Sequence, residues 1–269
     1  MLNSTVIAFI VVYVMEAVLI IIGNSFAIFV FLTERLHQKR TFFLLINLAV
    51  ADLLVGISEP IVLATEKFDI MTSVKGGKKW EANPPSSLQL LSSSTSVFFL
   101  TLIAVERVYA VLWLLRHRVT NTRVYIFSIF IVWVVGFCMA GLSLLPMFYK
   151  KADRRYFIVS IQICLLIPVL FICASYFKIR NRLRSTSAEI ASHRNQSIQH
   201  SLRLSRTLFI VIAASLVFWG PAFVVYTVKE LYPQCVSQPV HWLVNALHLT
   251  NSLVNPFVYT FRMPIFKAA

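Results

Sequence analysis

Acidic side chains are scarce in this chain: 11 Asp and Glu stand against 25 Lys and Arg, a formal net charge of +14. In a soluble protein that excess points to nucleic acid. Here the basic residues fall between long hydrophobic runs, where membrane topology and attraction to lipid headgroups account for them, so nucleic acid is excluded as a partner. Cysteine is scarce too. Of the four, Cys138, Cys164 and Cys173 lie in apolar stretches and Cys235 in a connection. No CxxC pair and no Cys/His ligand spacing occurs, which excludes a metal site of that kind. Only Cys235 is set to meet an oxidising compartment, and it has no evident partner. The lack of an internal repeat counts against a repeat-built transporter. The first apolar run lacks both a basic start and a small-residue cleavage site, so it is expected to be a span rather than a removable signal peptide.

Hydrophobic residues make up 58% of the 269, with a mean hydropathy of +0.76, well outside the range of soluble domains. Seven apolar segments can be read, at roughly 6–32, 42–66, 86–113, 124–148, 156–179, 205–230 and 239–262. The predicted fold is an all-α integral membrane protein. It is a seven-transmembrane helix bundle forming one domain over 1–269, with a short tail at 263–269. Arg35, Lys39 and Arg40, then Arg116, Arg118 and Arg123, then seven basic residues from Lys178 to Arg206 alternate with a smaller set headed by Lys67 and Lys150. The larger set belongs inside, so the amino terminus is expected outside, on a multi-pass protein of the plasma membrane. The basic stretch from Lys178 to Arg206 reads as extended helix ends and disorder.

The last segment is the most informative. His241, Asn245, His248, Ser252, Asn255 and Tyr259 recur at steps of 4, 3, 4, 3 and 4, one stripe down one side of a helix. Leu243, Val244, Leu247, Val254 and Val258 form the other side. At membrane depth such a stripe has to face protein or water, so the bundle needs a wet interior. Pro256 removes one backbone donor inside this span. Asp52 and Glu59, seven apart on the second span, share a face, and two carboxylates there are functional candidates, with Glu16 on the first span a third. The third span repeats the pattern with Gln89, Ser93, Ser96, Leu100, Ile103 and Arg107, and Glu106-Arg107 closes its apolar run. Trp219, Phe223 and Tyr226 share one face of the sixth, beside a helix break at Gly220-Pro221 that can act as a hinge.

These residues resemble the rhodopsin-like (class A) G-protein-coupled receptors across nearly the whole chain. Gly23-Asn24, the LAVAD run ending at Asp52, Glu106-Arg107, Trp133, Pro168 with Tyr176, Trp219-Gly220-Pro221 and Asn255-Pro256-Phe257-Val258-Tyr259 carry the resemblance, in order, one group per helix. It implies a receptor, not an enzyme, with no enzymatic cofactor. An extracellular ligand would shift the bundle between two packings, and a heterotrimeric G protein would enter a cytoplasmic cleft. It implies a sodium pocket at Asp52, Ser96, Asn251 and Ser252. It implies a switch made of Glu106, Arg107, Tyr176, Trp219, Pro221, Asn255, Pro256 and Tyr259. Ligand contacts are implied at Gln89, Ser93, Glu59, Phe223, Tyr226, Asn245 and His248.

The departures carry information as well. No cysteine stands at the top of the third helix, where Ala82 or a neighbour replaces it, nor between Lys150 and Tyr156. That and the short second outer loop resemble the branch of melanocortin, adenosine, cannabinoid and sphingosine-phosphate receptors. Val108 replaces a tyrosine, Leu114 a proline and Ser215 an aromatic, and no acid near Ser201 is set to lock Arg107, so basal signalling is expected. Gln89 stands where amine receptors carry an aspartate, and Leu249 where an opsin carries lysine, which disfavours both ligand classes. Lys150, Lys151, Arg154 and Arg155 make the outer mouth basic, which favours a ligand with an acidic group, a lipid or a peptide. Glu59 is expected to pair with His248 across the pocket floor, conferring acid sensitivity. Two other readings compete: a non-signalling receptor-like protein, and a channel or carrier with Asp52, Glu59 and Glu16 along its path.

Overall fold

The computed structural model describes residues 4–33, 40–74, 84–148, 154–190 and 196–262. Among them the secondary structure is all helical. Seven long helices are α1 (Ser4–Thr33), α2 (Arg40–Val74), α3 (Pro84–Leu112), α5 (Thr122–Phe148), α6 (Arg154–Ile190), α7 (Gln196–Leu231) and α8 (Gln238–Arg262). A short helix α4 (Leu114–Val119) follows α3, and one 3-10 turn (Pro233–Cys235) joins α7 to α8. Helices are what long apolar runs must form where no water can satisfy the backbone, because every N–H then finds its carbonyl within the same segment. Among the described residues, four stretches are long and apolar enough to cross a membrane: Ser4–Thr33, Arg40–Thr65, Ser86–Leu112 and Thr122–Leu145.

These four differ in how deeply they sit. The apolar windows of α2 and α3 are 61% buried, and those of α1 and α5 only 17%. So α2 and α3 are central and α1 and α5 peripheral. Ile22 and Phe29 on α1, with Phe127, Phe130 and Phe137 on α5, turn outward at more than 60% exposure, a surface suited to lipid rather than water. Two apolar clusters make the core. The larger packs Phe31, Phe42, Leu45, Leu48, Phe99 and Tyr259 toward the Arg107 end of the bundle. The smaller gathers Tyr13, Ile20, Val55, Ala246 and Leu249. Along α2, Asp52 falls between Leu48 of the first cluster and Val55 of the second.

Close approaches fix the helices in register. A Cβ on Gly136 of α5 would lie 2.1 Å from Thr95 Oγ1 of α3, so only a bare backbone fits there. Trp133 Nε1 on α5 donates to Asn47 Oδ1 on α2 at 3.0 Å, so this indole is a polar tie as well as packing. Asn24 Nδ2 on α1 donates to the Ser252 carbonyl of α8 at 3.1 Å. Thr250 Oγ1 on α8 donates to Glu16 Oε1 on α1 at 2.9 Å, which gives that carboxyl a structural partner.

One detail adds to the sequence reading and another agrees with it. Leu114–Val119 is helical rather than loop; Trp113 interrupts the chain at φ −127°, ψ 57°, and a new turn starts immediately. The basic stretch from Lys178 is helical to Ile190 and again from Gln196, in line with the extended helix ends expected there. Positions 178–190 hold no glycine or proline, and basic residues form helix well, so α6 continues past its apolar run.

Candidate functional site

A cavity of about 380 Å³ opens among α2, α3, α6, α7 and α8. Its lining includes all seven residues nominated as ligand contacts: Glu59, Gln89, Ser93, Phe223, Tyr226, Asn245 and His248. They converge because three stripes meet there, one from α3, one from α8 and the aromatic face of α7. Four of them form a continuous polar chain across four helices. Tyr226 Oη on α7 donates to Asn245 Oδ1 on α8 at 2.7 Å. Asn245 Nδ2 then donates to Glu59 Oε1 on α2 at 3.2 Å, and Gln89 Nε2 on α3 donates to Glu59 Oε2.

Around that chain, on both sides of it, the polar groups are less well served. Ser93 Oγ, Trp219 Nε1, His241 Nδ1 and His248 Nδ1 are buried without a hydrogen-bond partner among the described residues. The His248 ring meets Trp219 edge-on at 4.3 Å and Tyr226 at 6.2 Å. The hydrogen bonds of Glu59 described here run to Gln89 and Asn245 rather than to His248. The cavity thus combines apolar and aromatic walls with an equal number of polar side chains, a mixture that suits a small-molecule site.

Deeper along α2, Asp52 is fully buried and receives three donors. Ser96 Oγ and Ser252 Oγ reach Oδ1 at 2.7 and 2.8 Å, and Asn255 Nδ2 reaches Oδ2 at 2.6 Å. Asn251 is buried but is not among these donors. The side-chain oxygens of Asn251 and Asn255 have no partner among the described residues. A carboxylate, two hydroxyls and two spare amide oxygens make a hard-oxygen set, the chemistry an alkali or alkaline-earth cation prefers.

The far end of α3 is built differently. Arg107, 3% exposed, donates from Nε to Glu106 Oε2 and from Nη2 to Glu106 Oε1, both at 2.5 Å. Nη2 also reaches Thr41 Oγ1 on α2 at 2.6 Å. Glu106 Oε1 further meets His117 Nε2 of α4 at 2.7 Å, Thr41 Oγ1 at 3.1 Å and Tyr125 Oη of α5 at 3.4 Å. The guanidinium is therefore held sideways against its own helix and α2.

Comparison with known proteins follows the same lines. The family described as 7 transmembrane receptor (rhodopsin family) matches residues 23–259. This chain belongs to the rhodopsin family of seven-transmembrane receptors. It is similar to adenosine receptor A3 of Ovis aries, 25% identical over 286 residues, covering 98% of this chain and 88% of that one. It is similar as well to sphingosine 1-phosphate receptor 3 of Takifugu rubripes, 27% identical over 247 residues, covering 84% and 60%. Trace amine-associated receptor 1 of Homo sapiens is 25% identical over 216 residues, covering 68% and 63%. The adenosine and sphingosine 1-phosphate relatives agree with the branch seen in the sequence. A rhodopsin-family receptor is a multi-pass membrane protein that binds an extracellular ligand and is not an enzyme.

In this receptor several residues escaped sequence reasoning. Thr41, His117 and Tyr125 complete the shell of Glu106, and only the position of His117 within Leu115-Arg116-His117-Arg118 hinted at it. α7 runs unbroken through Gly220-Pro221, so the helix break expected there is replaced by a proline within a continuous helix, as with Pro256 in α8 and Pro168 in α6. The side chains of Tyr176, Ser201, Lys150, Lys151, Arg154 and Arg155 lie outside the described residues, as do Ala82 and the tail 263–269. All four cysteines are free. The described lining carries two carboxylates, Glu59 and Glu230, and one ammonium, Lys229, while the four basic residues behind the expectation of an acidic ligand are not among the described side chains.

Proposed function

We propose that this receptor crosses the plasma membrane seven times with its amino terminus outside, and that its whole length forms one signalling domain. The Glu59 cavity opens to the exterior and binds the ligand. The Arg107 end faces the cytosol and activates a heterotrimeric G protein. The observation that carries this reading is the polar chain from Tyr226 to Gln89, which joins α7, α8, α2 and α3 at the cavity wall. A ligand that binds better to one arrangement of that chain biases the packing of α7 against α3 by the difference in affinity, and by no more.

The signal would leave through Trp219, whose ring rests on His248 beneath the cavity, and through Pro221 inside α7, where one backbone donor is missing. Swinging the inner end of α7 about Pro221, with Asn255, Pro256 and Tyr259 repacking on α8, would open a cleft beside Arg107. An apolar helix of the G protein can dock in such a cleft. Glu106 and Thr41 hold Arg107 aside in the closed arrangement; Tyr176 is its proposed partner in the open one. Asp52, Ser96, Asn251 and Ser252 would hold a sodium ion, with Asn255 at the edge. The ion would supply positive charge to a buried carboxylate and so favour the closed arrangement.

Recruitment of Gα subunits in cells, with and without Arg107→Ala, tests the reading. The expected outcome is measurable recruitment that the substitution abolishes. Silence from both proteins, each at the cell surface, would favour a receptor-like protein that does not signal. Replacing sodium by choline in the same assay should raise basal recruitment for the native receptor and leave Asp52→Asn unchanged.

A further inference from the structure

Along the cavity wall Tyr226, Asn245, Glu59 and Gln89 are occupied with one another, and neither Glu59 nor Lys229 is free. One or two turns toward the Arg107 end, three helices each supply a buried polar atom without a hydrogen-bond partner among the described residues. Ser93 follows Gln89 by four residues on α3, His248 follows Asn245 by three on α8, and Trp219 precedes Tyr226 by seven on α7. All three residues line the cavity. Their atoms differ in kind: Trp219 Nε1 only donates, Ser93 Oγ donates and accepts, and His248 Nδ1 does either according to its tautomer. A guest that only donates therefore leaves the Trp219 N–H unpaired. A lone carbonyl has two lone pairs and serves two of the three; an adjoining N–H serves the third. Lys229 and Glu230 lie ten and eleven residues beyond Trp219, about 15 Å along α7, too far to pair with a charge at this depth. A group placed there is cheapest when neutral. The Trp219 and Tyr226 rings both stand edge-on to His248, and Phe223 joins them on the lining, so a flat guest meets aromatic walls.

We propose that the deep end of this cavity takes a flat, neutral ligand bearing a cyclic amide, whose C=O and N–H pair with Trp219, Ser93 and His248. The carbonyl oxygen would accept from Trp219 Nε1 and Ser93 Oγ, and the amide N–H would donate to His248 Nδ1. The three atoms are shielded from solvent in this arrangement. A turn of the Ser93 hydroxyl or the His248 ring about its own side-chain bonds would present them to the guest. The two atoms of an amide stand side by side and so can reach groups on different helices. A cavity of about 380 Å³ holds a two-ring lactam and leaves room for substituents directed toward Gln89 and Asn245.

The proposal rests on the reading of this cavity as the ligand site, but its test uses no G protein, so the two fail separately. The full receptor is purified in lipid nanodiscs, and thermal unfolding is followed against rising concentrations of 2-quinolone, a two-ring lactam. N-methyl-2-quinolone keeps the carbonyl without the N–H, 2-naphthol carries a hydroxyl instead, and naphthalene carries neither group. The expected result is a rise in unfolding temperature with 2-quinolone, and an affinity about 3- to 10-fold below it for N-methyl-2-quinolone, the worth of one neutral hydrogen bond. Naphthalene should bind more weakly still. In Trp219→Phe, which keeps an aromatic ring but not the N–H, the preference for 2-quinolone over naphthalene should shrink by a similar factor. If that variant does not fold, Ser93→Ala is read for the same loss of preference, and if neither folds, the four probes on the native receptor decide alone. Equal stabilisation by naphthalene, 2-naphthol or N-methyl-2-quinolone would overturn the amide while leaving a cavity that binds. An undiminished preference in the variants would overturn it too. Stabilisation by none of the four would overturn it together with the site.

Discussion

Glu106 is reached by groups from Arg107, Thr41, His117 and Tyr125, drawn from four helices, and Arg107 in turn spends its donors on Glu106 and Thr41. Around the Glu59 cavity, by contrast, four buried polar atoms have no partner among the described residues. Each unpaired buried group costs about 1–3 kcal/mol relative to a paired one. A protein that satisfies its polar groups at one end and leaves them wanting at the other has placed its stability and its responsiveness in different regions. The Arg107 end holds a conformation; the cavity end keeps polar atoms that a bound molecule can pair with.

That contrast can be broken experimentally. Glu106→Ala should have the largest effect, because it leaves Arg107 buried and without its counter-charge. A loss of about 3–5 kcal/mol is expected, read as a lowered unfolding temperature of the detergent-purified receptor. A much smaller loss would mean that the closed end is not held by this pair. Gly136→Ala comes next, at about 1–3 kcal/mol, since its Cβ would press on Thr95 Oγ1. Adding Thr95→Ala should recover most of that loss, because the shortened side chain vacates the contested space; no recovery would place the strain elsewhere. Ser93→Ala should have the smallest destabilising effect, from none to a gain of about 1 kcal/mol, because it removes a buried hydroxyl with no hydrogen-bond partner among the described residues. A large destabilisation there would show that the cavity polar groups are structural, and the contrast between the two ends would disappear.

How much of this was legible in the sequence follows from period and distance. The stripes on α3 and α8 could be read because side chains at helical spacing must share a face whatever the bundle does. The burial of Asp52 among Ser96, Ser252 and Asn255 follows from the same faces meeting at one depth. The partners of Glu59 were misjudged by one turn. His248 was the expected partner, but it lies one turn deeper, against Trp219, and Asn245 takes its place. Periodicity fixes a face but not a height. Thr41, His117 and Tyr125 could not be read for a related reason. They come from a helix start, a single-turn helix and a neighbouring helix, and only packing brings them to Glu106. The helical continuation of α6 beyond its apolar run was expected, but not its length, because composition marks where lipid ends, not where a helix does.

The four free thiols have a practical consequence. With no sulfur–sulfur bond to break, reductants such as dithiothreitol leave the bundle intact, and the receptor can be made and handled in reducing media. Cys138 and Cys235 are the exposed thiols. Cys235 lies in the turn between α7 and α8, beside the cavity wall those helices build, where a fluorophore attached to its sulfur would report occupancy directly.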